Sequence, residues 1–560
     1  MVSDNQFDVI VIGAGINGAG IARDAAMRGL KVLLLDKGDI GGGTSSQSTR
    51  LIHGGLRYLE HGEFGLVRES LRERASLMKI APHLVRPLPI LVPIYKHARR
   101  GVWTVRAGMI AYDALLFNKS LPRHRMLSPT ETLQQAPGLN REGLRGAAFY
   151  VDAQVEFAER LVLENALSAV AHGATVLTYA RVDRFLVEDG KVRGLAFTHL
   201  QSHKSRIQGQ LTTGTADVSP ADRFSSSTSG DDLERQSATA RVVINATGPW
   251  IDQVLDDNGV NSPRLIGGTK GSHIIVGPFA GAPDTAVYVE AETDARPFFI
   301  IPWNENYLIG TTDIRYDGDL DHVEIGTEEI AYLLRETNRV IPEAQLTREH
   351  ILYTYSGVRP LPFTGDKDEQ SITRKHFIRR HADIENLFSI VGGKLTTYRS
   401  LSEQTVDLIF RKLHQKSPQC TTNLKPLPGA ETPDFAAFSN DFKQRCGLPE
   451  TTSARLLRIY GTRASSILNL IGEDLSLAKV FDSETGAIAA EVVFAFKHEL
   501  AQTLSDCLLR RIMVGLNSTN GLNALEAAAK IAQKHLGWSE TRVDHEAAAY
   551  RNETNRRFRG

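Results

Sequence analysis

Cysteine is scarce in this chain of 560 residues: Cys420, Cys446 and Cys507 stand far apart, and no C-x-x-C occurs. That spacing excludes a zinc site, a dithiol redox pair and a disulfide framework, and it suits inert thiols in a reducing compartment. Net charge is also missing. Lys plus Arg is 65 and Asp plus Glu is 65, so no global field marks a nucleic-acid binder, and no aromatic-basic stripe compensates. Attraction to an anion must therefore be local. Long apolar runs are absent too: stretches such as Ile90 to Ile94 fall far short of the roughly 20 residues that span a bilayer. Met1 to Phe7 has neither a basic nor an apolar leader region, so no secretory signal is expected. The expectation is a chain that is cytosolic or lies on a membrane surface. There is no metal-ligand cluster, second acid pair or nucleophile elbow.

What is present starts at Asp8. Val9 to Ile12 is a continuous apolar run, as in a buried parallel strand. It enters Gly13-Ala14-Gly15-Ile16-Asn17-Gly18, a G-x-G-x-x-G turn, followed by a helix to Gly29 and a second strand over Lys31 to Leu35. Gly13 permits the turn, Gly15 lets backbone approach a pyrophosphate, and Gly18 lets helix pack on strand, with the helix N-terminus facing the phosphates. Asp36, 18 residues after Gly18, is placed to meet a ribose hydroxyl. The pattern predicts a dinucleotide, NAD or FAD, and argues against NADP.

The length predicts two or three domains. After the small-residue loop Gly41 to Ser48, the stretch Arg50 to His61 is rich in Gly, His and Arg, fit either to hold an anionic ligand or to be a surface loop. Gly101 to Phe117 has apolar groups at helical spacing with Lys96, Arg99, Arg100, Arg106, Lys119, Arg123 and Arg125 around it. It reads as a packed helix with a basic rim or as one lying in a membrane interface over 96–125. Ala153 to Ala171 is expected as an amphipathic helix, and Ala174 to Thr198 as strands turning at Asp189-Gly190. His199 to Ala238 is polar and expected as a disordered insertion. Arg241 to Trp250 reads as another buried strand ending in a small-residue turn that closes the cofactor site. Phe298 to Pro302 and Tyr307 to Thr311 form a predicted hairpin, and Thr327 is expected to cap a helix before Pro342. Residues 1–411 are read as the catalytic region, 412–434, with four prolines, as a linker, and 435–560 as a helical domain. A dinucleotide site with separated basic residues implies redox chemistry on an anionic substrate.

Six motifs then follow in order: HGGLRYLEH at 53–61, NATGPW at 245–250, KGSH at 270–273, IGTTD at 309–313, TYSGVRP at 354–360 and GGKLTTYR at 392–399. Together with the glycine turn they resemble the FAD-dependent, respiratory glycerol-3-phosphate dehydrogenases from Asp8 to about Phe410, and more weakly KHELAQTLSDCLLRR at 497–511. The polar insertion is the departure. The resemblance implies an α/β plus α protein: a Rossmann-like FAD-binding domain of the glutathione-reductase-like class, an antiparallel-sheet substrate domain and a helical C-terminal domain. It implies oxidation of glycerol 3-phosphate, with electrons passing to membrane quinone or, as the alternative, to oxygen with peroxide formed. It favours peripheral contact with the inner face of the cytoplasmic membrane; the oligomeric state, a homodimer included, stays open.

By the same resemblance Arg57 and Arg359 bind substrate phosphate, Tyr58 adds a hydroxyl, and Lys394 serves both the substrate and the flavin edge where negative charge grows. His273 is the expected base for the C2 hydroxyl. His53 is the second candidate, since it adjoins Gly54-Gly55 and is suited to supporting the flavin. Thr247, Gly248, Gly310, Asp313, Gly392 and Gly393 are expected on the cofactor side.

Overall fold

The computed structural model describes residues 5–60, 62–96, 98–115, 121–200, 235–365 and 372–558, except the side chains of Arg57, Glu60 and Phe558. The Val9 run lies in strand Gln6–Ile12, parallel to Val32–Leu35 on one side and to Arg235–Asn245 on the other, with Val9 opposite Val32 and Val242. It is apolar throughout because both sheet faces are covered. Val9 and Val11 pack with helices Ile16–Met27, Ala158–Ala171 and Tyr398–Lys412, while Ile10 and Ile12 pack with Phe185, Leu195 and Ile251. The sheet continues through Thr175–Leu177 at one edge and Leu387–Val391 and Phe377–Arg380 at the other.

A second, mixed sheet carries the expected antiparallel part. Its order among the described residues runs Ile314–Arg315, Thr269–Val276, Asn306–Gly310, Pro297–Trp303, Ala286–Glu290, Val85–Tyr95, Leu144–Val155 and Leu51–Ile52, with Ile351–Arg359 also paired to Thr269–Val276. The predicted hairpin is present, turning at Asn304 and Glu305, both left-handed. So is the Asp189-Gly190 turn, with positive φ at both residues.

Several boundaries differ from the sequence reading. The first helix ends at Met27, and the second strand begins at Val32. Gly326, not Thr327, is the helix N-cap, its N–H bonded to Glu329. The insertion is narrower than expected: Arg235 to Ala238 pair antiparallel with Thr198 to Leu195, because strand pairing satisfies a polar backbone whatever its side chains. Residues 201–234 lie outside the described residues.

The helix expected over Ala153 to Ala171 begins only at Ala158, since Ala153 to Val155 still belong to a strand. It has no solvated face. Every residue from Ala158 to Val170 is buried, including Glu159, Arg160 and Glu164. Their partners come from elsewhere: Arg50 on Glu159 at 2.7 Å, Glu499 on Arg160 at 2.6 Å, and His83 on Glu164 at 2.9 Å. Charged residues at helical spacing suggest solvent, yet here they mark where distant segments pack, Arg160–Glu499 joining the C-terminal domain; removing one partner of such a buried pair costs about 3–5 kcal/mol.

The segment read as a linker is packed rather than loose. Leu427 is buried and its N–H bonds to the Ile80 carbonyl, while buried Arg23 donates to the carbonyls of Lys425 (2.8 Å), Pro426 and Thr422. The C-terminal region is mainly helical, with Phe435–Arg445, Glu450–Tyr460, Ala464–Glu473, Ala489–His498, Leu525–Leu536 and Glu540–Phe558. It also holds a small ribbon, Val480–Asp482 with Ala487–Ile488. Within this region, expected to be helical, Asp506–Arg511 is a π-helical segment. Among the described residues no helix is long and apolar enough to cross a membrane.

Candidate active site

Between the two sheets lies a cavity of about 1280 Å³, larger than a site for one small ligand needs. At one end it is walled by the turn between strand Gln6–Ile12 and helix Ile16–Met27. Gly13 has φ +100° and a Cβ there would stand 2.7 Å from the Ala246 carbonyl oxygen; a Cβ on Gly18 would stand 1.8 Å from the Gly13 carbonyl oxygen. Only glycine lets these three backbones close up, and the helix N-terminus then faces the cavity with its partial positive charge. Asp36 accepts the Ala14 N–H at 2.6 Å and the Gly38 N–H at 2.8 Å. Burial pushes its carboxyl up and these two bonds oppose it. A carboxylate has about four acceptor sites, so capacity for a ribose hydroxyl remains. Wall shape, helix terminus and acid together fit FAD.

The cavity lining also holds an arginine cluster around Asp313. Arg359 Nη1 lies 2.9 Å from Asp313 Oδ1, Arg374 Nη2 lies 3.1 Å from Oδ2, and Arg296 donates to the Asp313 carbonyl. Burial pushes the Asp313 carboxyl up, but Arg359 and Arg374 hold it below the usual carboxylate range. Arg296 also pairs with Asp294 at 3.3 Å, so three guanidinium groups meet two carboxylates and one positive charge is in excess. Arg374 Nη1 is buried without a hydrogen-bond partner among the described residues, a donor of the kind a bound anion satisfies. Asp313, expected on the cofactor side, is thus the counter-ion that fixes the guanidinium groups.

His273 stands on strand Thr269–Val276, opposite Gly310 and Tyr355. It is buried against the Tyr355 ring, 4.8 Å between centroids; its Nε2 pairs with Thr49 Oγ1 at 2.9 Å, and its Nδ1 is buried without a partner among the described residues. Burial, then Arg359 and Arg50, push its pKa well below the ordinary histidine value, so it is neutral. Lys394 follows the left-handed pair Gly392-Gly393. Its Nζ lies 3.6 Å from the centre of the Tyr58 ring and 3.2 Å from Ser70 Oγ. Burial lowers its pKa, with Tyr58, Glu63 and Glu69 opposing. The His53 N–H donates to Thr396 Oγ1 at 3.2 Å.

The cavity wall therefore includes Gly13, Gly15, Asp36, His53, Tyr58, Thr247, Gly248, His273, Asp313, Arg359, Gly392, Gly393 and Lys394. Gly18 lies behind the wall, within the glycine turn, and Gly310 lies beside His273, where a Cβ would collide with that ring. The Arg57 side chain lies outside the described residues. Sequence reading missed Arg374, Arg296 and Thr49, and took in Arg50 only as the start of the stretch Arg50 to His61. Arg374 stands in a polar, charged run that reads as solvated loop, and no local signal shows that it folds back onto Asp313.

Residues 8–397 match the model of the FAD dependent oxidoreductase family, and 420–543 match the C-terminal domain of alpha-glycerophosphate oxidase. A glycerol-3-phosphate dehydrogenase of Synechocystis sp. is 45% identical over 98% of this chain and 96% of its own. An aerobic glycerol-3-phosphate dehydrogenase of Staphylococcus haemolyticus is 32% identical over 91% of this chain and 87% of its own. The crystal structure of glycerol-3-phosphate dehydrogenase from Bacillus halodurans complexed with FAD is 27% identical, covers 99% of this chain and 96% of its own, and superposes with a TM-score of 0.76. With a family model matched over residues 8–397 and a relative 45% identical along nearly its whole length, the chain belongs to the FAD-dependent glycerol-3-phosphate dehydrogenase family.

Proposed function

We propose that the protein oxidises sn-glycerol 3-phosphate to dihydroxyacetone phosphate and passes the electrons to a membrane quinone. The observation that carries this reading is the excess of guanidinium groups at Asp313, with Arg374 Nη1 unsatisfied, in the cavity that also holds the glycine turn. A phosphate dianion matches the excess positive charge and the planar forks of Arg359 and Arg374. FAD held at the glycine turn and Asp36 would supply the acceptor for the hydride of C2. His273, neutral, takes the C2 hydroxyl proton, with His53 the alternative base. Lys394 sets a cation in the same chamber against the negative charge that reduction builds. Anaerobic addition of glycerol 3-phosphate is expected to bleach the flavin absorbance, while glycerol at the same concentration does not; no bleaching by glycerol 3-phosphate overturns the proposal. Reoxidation separates the acceptors: a soluble quinone restores the yellow colour fast and air slowly, whereas rapid peroxide formation in air would favour an oxidase.

The membrane part rests on helix Val102–Ala114. Its inner side is anchored by buried Met109 and Tyr112, but Trp103 is 77% and Ile110 55% exposed, with the Arg106 guanidinium 5.6 Å from the Trp103 ring. Apolar groups facing outward beside cations suit a headgroup layer at the inner face of the cytoplasmic membrane. The double variant Trp103→Glu, Ile110→Glu is expected to stop co-sedimentation with anionic vesicles while the flavin spectrum is unchanged. Undiminished co-sedimentation would move the contact elsewhere.

A further inference from the structure

The turn after strand Val32–Leu35 carries Asp36, and three residues on it carries Asp39, which is buried. Among the described residues the Asp39 carboxylate accepts from no group of its own domain. Its carboxylate is taken by the C-terminal domain: Arg511 Nη2 reaches Oδ1 at 2.6 Å, while Arg511 Nη1 and Arg510 Nε reach Oδ2 at 2.8 and 2.6 Å. Consecutive side chains of an ordinary helix diverge by about 100°. The wider winding of Asp506–Arg511 goes with both arginines meeting one carboxylate. Neighbouring bonds tie the same edge. Arg510 Nη2 reaches Asp506 at 2.9 Å, Tyr179 OH donates to Asp506 at 2.6 Å, and Gln502 Nε2 donates to Thr178 at 2.7 Å. Tyr179 in turn donates its N–H to the Gly38 carbonyl, and the Ala180 N–H donates to that of Asp36. Arg510 and Glu553, both from the C-terminal domain, also line the dinucleotide cavity.

We propose that Arg510 and Arg511 are positioning residues for the cofactor: they clamp the Asp36–Asp39 turn through Asp39, so that the helical domain sets how long FAD stays bound. Buried, bidentate pairs of this kind fix geometry better than exposed ones, and a ligand group held within about 0.5 Å depends on what stands behind it. The proposal rests on Asp36 as the ribose ligand. It assigns the C-terminal domain a part in cofactor retention.

The test is the rate at which holoenzyme releases FAD into buffer, read as the rise in flavin fluorescence. Arg510→Gln and Asp39→Asn are expected to release FAD at least tenfold faster than the unmodified protein, and the milder Arg510→Lys at least threefold faster. Asp482→Asn, which removes a buried carboxylate of the C-terminal ribbon that accepts from Thr485 and Asn523, is expected to release at the unmodified rate. Because Arg510 acts through the turn, Arg510→Gln combined with Asp36→Ala should release no more than twofold faster than Asp36→Ala alone. Unmodified rates in Arg510→Gln and Arg510→Lys, equal acceleration by Asp482→Asn, or full additivity with Asp36→Ala would each overturn the clamp. An unmodified rate in Asp36→Ala itself would remove the ribose assignment, and the clamp with it.

Discussion

Arg359→Ala is expected to raise KM for glycerol 3-phosphate by about 10²- to 10³-fold while flavin content stays normal. Hydrogen bonds to charged groups are worth about 1.5–3 kcal/mol each, and a guanidinium fork makes two to a phosphate. The loss is kept below that of the whole site because Arg374 and Arg296 remain around Asp313. Arg359→Lys should recover part of the affinity only, since an ammonium supplies the charge without the fork. Steady-state kinetics with flavin absorbance measured on the same samples decides it. Lost flavin with unchanged KM would move Arg359 from the substrate end of the cavity to the cofactor.

His273→Gln is expected to lower kcat by about 10²- to 10⁴-fold, the usual contribution of a positioned base, with little change in flavin content. The pH dependence gives a sharper signature. Burial, Arg359 and Arg50 hold His273 well below the ordinary histidine pKa, so the acid limb of kcat/KM should fall below the usual histidine range. Removing the Arg359 cation should move that limb up in pH. The same shift acts on stability: the folded pKa lies below the unfolded one, so this contribution is complete above about pH 6.5 and is lost as pH falls toward the folded value. A profile unchanged in both His273→Gln and Arg359→Ala would pass the role of base to His53 or Lys394.

The parts of the fold readable from sequence are those whose signal is local. Val9 to Ile12, Gly13, Gly15, Gly18 and Asp36 lie within one short stretch, where strand period, glycine positions and an acid constrain one another, and the structure keeps them in that relation. The misreadings share one cause. The helix beginning at Ala158 and the proline-bearing segment after Lys412 carry polar groups that local pattern assigns to water, and both are packed against parts of the chain hundreds of residues apart. Polarity says that a group needs a partner; it does not say whether the partner is solvent.

By itself, the sequence determined the glycine turn with its acid and, through its ordered motifs, the family to which the chain belongs. Tertiary structure alone decided the rest: that Asp313 gathers Arg296, Arg359 and Arg374 into a positive chamber, that His273 is neutral against Tyr355, and that Arg510 and Arg511 hold the turn bearing Asp36. The reason is the range of the forces. Turn and strand preferences act over a few residues and are written in their spacing, whereas charge pairing and burial act through space and exist only once distant segments have met.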